Sequence, residues 1–274
     1  MSTEFRPLEE VSSFRQMAAA MWSPPRDPSI HGTLDVDAGP ALRLIDELRA
    51  RGGPRVTVTH MVARAVALAL REQPELNAKV RFWGRLEQRT SIDVFVTVAT
   101  DGGRDLSGAR IDRADEKSLA DIAAEIAGRA QAVRDGADPS YRRSRTLFRR
   151  MPWWLARPAT RVSDLLVNEL HFDLAAQGMP RDPFGSAMVT SVGMFGIDTA
   201  FAPFVPLARC PILLLVPEIR PRPWITGAGD TERIEIRPVL RLCATFDHRI
   251  IDGFAAGRMA RSLAQLFAAP DRLT

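Results

Sequence analysis

A chain of 274 residues with 46% hydrophobic and 26% charged residues can bury a sizeable core and has the balance of a globular protein rather than a disordered one. The formal net charge is +4, carried almost wholly by arginine, since Lys79 and Lys117 are the only lysines. No window approaches the roughly 20 apolar residues that span a bilayer, the start lacks a secretion-signal pattern, and Cys210 and Cys243 sit in or beside apolar runs as expected buried free thiols; the cytoplasm is the expected compartment.

Residues 7–22 read as a mostly helical opening that carries Arg15 and stops at Ser23-Pro24-Pro25. Residues 31–37 read as a short strand. From 40 to 51, Leu42, Ile45 and Leu48 recur at helical spacing before Gly52-Gly53. Thr59 is the expected cap of the next helix, which runs to about Glu72 with Val62, Ala65, Val66 and Ala69 on one face and ends at Pro74. Residues 80–83 and 92–98 read as strands, the second alternating. Leu119, Ile122, Ile126 and Val133 carry an amphipathic helix over 118–134, closed at Gly136-Ala137-Asp138-Pro139.

Residues 141–163 hold seven arginines (Arg142, Arg143, Arg145, Arg149, Arg150, Arg157, Arg161) and no acid. Leu147, Phe148, Met151, Trp153, Trp154 and Leu155 are interleaved with them, and helix is expected on either side of Pro152 and Pro158. Such a segment can pack its aromatics on the protein, or dock on an anionic membrane or an acidic partner. No nucleic-acid motif accompanies it. A strand over 187–192 enters Gly193-Met194-Phe195-Gly196. The continuous apolar run 212–216 reads as a buried strand. A hairpin turn at 227–230 leads into a returning strand over 232–246, with a break expected at Pro238. The absence of repeats or linkers points to one domain: an α/β mixed sheet with packed helices.

The last strand and the helix over 254–267 flank Thr245-Phe246-Asp247-His248-Arg249-Ile250-Ile251-Asp252-Gly253. A strand end projects side chains past the sheet, and a helix start offers free N–H groups and a positive dipole end. His248 is one of four histidines and the side chain suited to move a proton near neutral pH. Asp252 is positioned to fix the turn by a hydrogen bond or an arginine pair, or to cap the helix. Gly253 at the corner would permit a tight turn or close backbone approach. His31, His60 and His171 are read as structural. The scattered histidines and cysteines give no metal-site spacing, and there is no phosphate-binding glycine loop.

Asp-His-Arg-Ile-Ile-Asp-Gly at 247–253 resembles the DHRxxDG signature of the catalytic domain of 2-oxo acid dehydrogenase acyltransferases, the dihydrolipoamide acyltransferases, whose fold is related to chloramphenicol acetyltransferase. Residues 14–21 resemble the family's opening helix and 30–37 its first strand. Residues 66–70 with Gln73-Pro74-Glu75-Leu76-Asn77-Ala78 are similar to its ALxxxPxLNA segment, and 189–196 to its TxSNxGxxG loop. The resemblance implies a chloramphenicol acetyltransferase-like fold over 1–274 and a CoA-dependent acyl transfer to a thiol, amine or alcohol acceptor, a lipoyl group on another chain among them. It implies His248 as general base and Thr190 as donor to the oxyanion, with Ser191 next in line on the opposite strand face. It also implies Asp252 and Gly253 as shapers of the turn, Arg15 as a partner for Asp252, and a homotrimer or an assembly of trimers whose subunits share each site. Three departures stand out: no lipoyl or subunit-binding domain is recognised; the polar segment 104–110 replaces an apolar strand; and the arginine-rich helical insertion occupies about 140–184. These favour a free-standing acyltransferase, the alternative being a non-catalytic trimeric scaffold that docks through its basic insertion.

Overall fold

A computed structural model of the chain describes residues 27–100, 105–134, 152–172, 182–205 and 208–274. The expected opening helix with Arg15, the helix-closing turn at 136–139 and the first arginines of the insertion lie outside them.

Six strands form the body of one mixed sheet: β1 (Ser29–Asp37), β4 (Val94–Thr100), β5 (Asp105–Ile111), β6 (Ala187–Ser191), β7 (Ile212–Val216) and β9 (Arg233–Asp247). Their order is β1-β9-β7-β6-β4-β5, and β8 (Arg220–Thr226) pairs with the first half of β9. The pairs β6–β4 and β6–β7 are parallel; the others are antiparallel. The apolar run of β7 lies at the centre with all five residues buried, as a strand covered on both faces requires. The short hairpin β2 (Ala78–Val80) and β3 (Leu86–Gln88) stands apart.

Side-chain alternation divides the core into two layers. Val189, Leu214, Leu240, Leu242 and Phe246 face helices α1 (Gly39–Ala50), α2 (Val58–Glu72), α3 (Leu119–Arg134) and α5 (Gly253–Ala268). Met188, Leu213, Leu215 and Cys243 point the other way, under Phe184, Ala202, Phe204 and Cys210. Both cysteines are free and buried, and burial pushes the Cys210 thiol up to about 12.

Several expectations shift. Helix α2 is capped by extended Thr57, not Thr59: the Thr57 N–H donates to His60 Nδ1 at 3.2 Å, one turn on. The strand expected over 80–83 stops at Val80, because the chain turns and Trp83 takes a left-handed φ of 65°. Pro158 does not divide a helix; α4 (Trp153–Asp164) runs through it, giving up one backbone bond on an exposed side, and continues into a π turn at Leu165–Glu169. Nor does Pro238 break β9. It pairs opposite Pro221, so neither proline withholds an N–H that the other would need, and its carbonyl accepts the Ala38 N–H at 2.8 Å. The polar segment after 104 still forms edge strand β5, where Gly108 lies under the Phe95 ring; a Cβ there would come within 1.8 Å of Phe95.

Candidate active site

The turn after β9 is held from four directions. The Asp247 N–H donates to the Pro211 carbonyl at 3.0 Å, and the Asp247 carbonyl accepts from Ile250 and Ile251. The Asp247 carboxylate takes the Arg249 backbone N–H and both arms of its guanidinium, at 2.9 and 2.6 Å. That bidentate pair raises the pKa of Arg249. The His248 N–H donates to the Pro28 carbonyl at 2.9 Å, which ties the turn to the start of β1.

This frame fixes the tautomer of the His248 ring. Its Nδ1 lies 3.1 Å from the Ile251 carbonyl oxygen. A carbonyl can only accept, so Nδ1 carries the proton and the neutral ring keeps its lone pair on Nε2. The residue is solvent-exposed. An exposed imidazole with a set tautomer and an outward lone pair is a base ready to accept a proton.

Asp252 acts on the helix, not on the ring. It is the N-cap of α5, and its Oδ1 accepts the Ala255 N–H at 2.9 Å. Its expected partner Arg15 lies outside the described residues. Gly253 is the first residue of α5 and needs no glycine within the chain: its φ is not left-handed, and a Cβ there would meet nothing within 4 Å. Among the described residues, therefore, no backbone approaches closely at this corner.

Thr190 lies on β6, half-buried, level with Thr97 on β4 and Leu215 on β7. Alternation puts it on the same face as Met188 and puts Ser191 on the helix side. The loop that follows packs tightly. Gly193 approaches Pro217 so closely that a Cβ would lie 2.8 Å from its carbonyl oxygen, and Gly196 is left-handed at 71°. Arg220 and Arg222 of β8 reach over to the Gly196 carbonyl and the Asp198 carboxylate, at 2.9 and 2.5 Å. Met194 and Phe195 are left exposed at the loop's tip.

The fold does not bring Thr190 and His248 together in one chain. Cys243 is level with Leu215, and so with Thr190. His248 lies beyond it by about five residues, roughly 16 Å along the strand, and two strand spacings, roughly 10 Å, to the side. His248, Asp247, Asp252 and Gly253 form one cluster; Thr190, Ser191 and the 193–198 loop form another at the opposite end of the central strands.

The other three histidines each have a partner outside the His248 turn. His31 bonds Thr245 Oγ1 at 3.1 Å and packs against the Phe201 ring at 5.1 Å, the two planes tilted by 51°. Burial lowers His60 to about 4. His171 Nε2 lies 3.4 Å from Glu87. Among the described residues no group of three or more His, Cys, Asp or Glu could hold a metal ion. Sequence reasoning passed over the Asp247–Arg249 pair and the Ile251 carbonyl. The first was legible as an acid and an arginine flanking the histidine; a backbone carbonyl leaves no trace in side-chain chemistry.

The family model described as 2-oxoacid dehydrogenases acyltransferase (catalytic domain) matches residues 7–139 and 181–274. The chain is 27% identical over 231 residues to the lipoamide acyltransferase component of the branched-chain alpha-keto acid dehydrogenase complex of Bacillus subtilis, covering 84% of this chain and 43% of that protein. It is 27% identical over 247 residues to the dihydrolipoyllysine-residue acetyltransferase component of the pyruvate dehydrogenase complex of Zymomonas mobilis, covering 89% and 45%. The chain thus spans less than half the length of these relatives. Its fold is similar to the cubic core of a pyruvate dehydrogenase multienzyme complex, with TM-score 0.66, 22% identity and 99% and 96% of the two chains covered. It is also similar to a probable dihydrolipoamide acetyltransferase from Listeria monocytogenes, with TM-score 0.65, 22% identity and 97% and 96% covered.

Proposed function

Because this chain belongs to the family of 2-oxo acid dehydrogenase acyltransferase catalytic domains, we propose that it moves an acyl group between coenzyme A and an acceptor thiol, with His248 as the general base. The observation that carries this reading is the Nδ1 contact to the Ile251 carbonyl, which commits the lone pair of the exposed His248 ring to Nε2. Nε2 takes the proton of the acceptor thiol, and the thiolate attacks the thioester carbonyl. The tetrahedral oxyanion accepts a hydrogen bond from Thr190 Oγ1. Collapse breaks the C–S bond to coenzyme A, whose sulfur recovers the proton from His248. A lipoyl group on another chain is the acceptor the relatives' names suggest; an amine or alcohol would be deprotonated by the same base.

The separation of His248 from Thr190 fits a site shared between subunits, His248 from one and Thr190 from its neighbour, in a trimer or an assembly of trimers. A second feature supports assembly. The β8–β9 ribbon extends past the last β1 pairing at Val239. One of its faces is apolar, with Pro223 opposite Ile236 and Ile225 opposite Ile234, and Ile234 and Ile236 are 75% and 79% exposed.

The test is thioester loss from a panel of acyl-CoAs with dihydrolipoamide as acceptor. Turnover is expected, and His248→Ala should reduce it about 10²–10⁴-fold, the usual worth of a positioned general base. Turnover that survives His248→Ala, or an assembled protein that neither turns over nor binds coenzyme A by calorimetry, would reject the reading.

A further inference from the structure

The turn between β2 and β3 is built in an unfavourable way for a protein surrounded by water. Trp83 at its tip is fully exposed, and its left-handed φ of 65° adds backbone strain. Phe82 and Leu86 beside it are also about half-exposed. A loop has no internal reason to hold an indole outward at such a position.

The insertion is joined to this tip by a network of partly buried charges. Glu169, in the π turn after α4, accepts the Phe82 N–H at 3.0 Å and the Arg81 Nε–H at 3.1 Å, and is bridged by Arg209. Arg209 also pairs with Asp164 at 2.7 Å and lies over the Phe82 ring at 5.2 Å. Glu87 of β3 gathers Arg81, Lys79 and His171. Burial alone would raise Glu169, but hydrogen bonds from Arg209, Phe82 and Arg81 outweigh it and keep its carboxyl below the usual range. The β2–β3 tip and the end of the insertion are therefore one rigid unit. Leu170 and Phe172, which follow Glu169, are more than half exposed. Leu155 and Val162 on α4 and Leu165 at the start of the π turn are exposed at spacings of seven and three, which places them along one stripe.

We propose that this unit is a docking surface for an anionic lipid bilayer. Tryptophan and phenylalanine at a rigid tip, next to an amphipathic helix, match the headgroup–acyl boundary, where indole rings collect. No helix among the described residues is long and apolar enough to cross a membrane, so the surface lies in the interface and does not span it. Charge complementarity selects the lipid: Arg85 at the tip and Arg161 beside Val162 are exposed, whereas the acids of the unit, Glu87, Asp164 and Glu169, are each paired with a base. The inference does not depend on the catalytic reading.

The test is cosedimentation of the full chain with phosphatidylcholine vesicles, with and without phosphatidylglycerol. Pelleting with the anionic vesicles, weakened by added salt, is the expected result. Trp83→Gly removes the indole while suiting the left-handed backbone, and Leu170→Asp puts a charge in the surface; each should weaken binding roughly tenfold with the urea midpoint maintained. Protein that stays in the supernatant with both vesicles, or binding indifferent to both substitutions, overturns the proposal. So does Trp83-dependent capture by polyglutamate without vesicle binding, which would assign the surface to an acidic protein.

Discussion

At the scale of single residues, two side chains make opposite predictions in stability and activity. Asp252 caps α5, so Asp252→Ala should cost about 1 kcal/mol in urea unfolding, whereas Asp252→Asn, an equally good cap, should retain both stability and most turnover. A loss with Asn as large as that of His248→Ala would show that Asp252 acts on the chemistry itself. His60 is a buried neutral histidine whose folded pKa is lowered from 6.5 to about 4 by burial. Its unfolded form therefore binds more protons between those values. The stability it contributes is fully present above about pH 6.5 and is lost as pH falls toward 4, up to about 3 kcal/mol. His60→Gln keeps an acceptor for the Thr57 N–H and should flatten that part of the pH dependence, measured as the difference between wild-type and variant urea midpoints at pH 7 and pH 4.5.

At the scale of elements, the sequence was informative where periodicity or punctuation was strong. The apolar face at 58–72, the continuous run 212–216 and the turn at 227–230 all lie where their patterns put them. It was less informative where a local rule met tertiary context. Pro158 and Pro238 read as breaks because a proline withholds an N–H, but one sits on an exposed helix side and the other faces a second proline. Of the candidate site, the histidine, its flanking acids and the threonine were legible as residue types in a motif. Their relation in space was not, because Thr190 and His248 are separated by a sheet register that no spacing encodes. The network around Glu169 was equally invisible: it draws on positions 81, 164, 169 and 209, far apart in the chain. Removing its centre makes a clear prediction. Glu169→Ala leaves Arg81 and Arg209 largely buried without their shared carboxylate and should cost about 3 kcal/mol in urea unfolding, with faster proteolysis of the 152–172 segment.

At the scale of the whole molecule, the exposed apolar ribbon and the proposed shared site predict the same dependence on neighbours. Ile234→Asp combined with Ile236→Asp should lower the sedimentation coefficient toward that of a monomer and abolish turnover in the same sample, although neither residue is near His248. Turnover that persists in a sedimenting monomer would separate the two. The distance between His248 and Thr190 has one more consequence, and it is genetic in form. If each reaction centre borrows one group from each of two copies, a His248→Ala chain and a Thr190→Ala chain are both dead alone yet carry complementary lesions. Allowed to exchange subunits, they should form mixed rings in which about a quarter of the junctions unite an intact histidine with an intact threonine. Activity should then reappear from two inactive preparations on mixing, and an allele of one kind should rescue the other in the same cell.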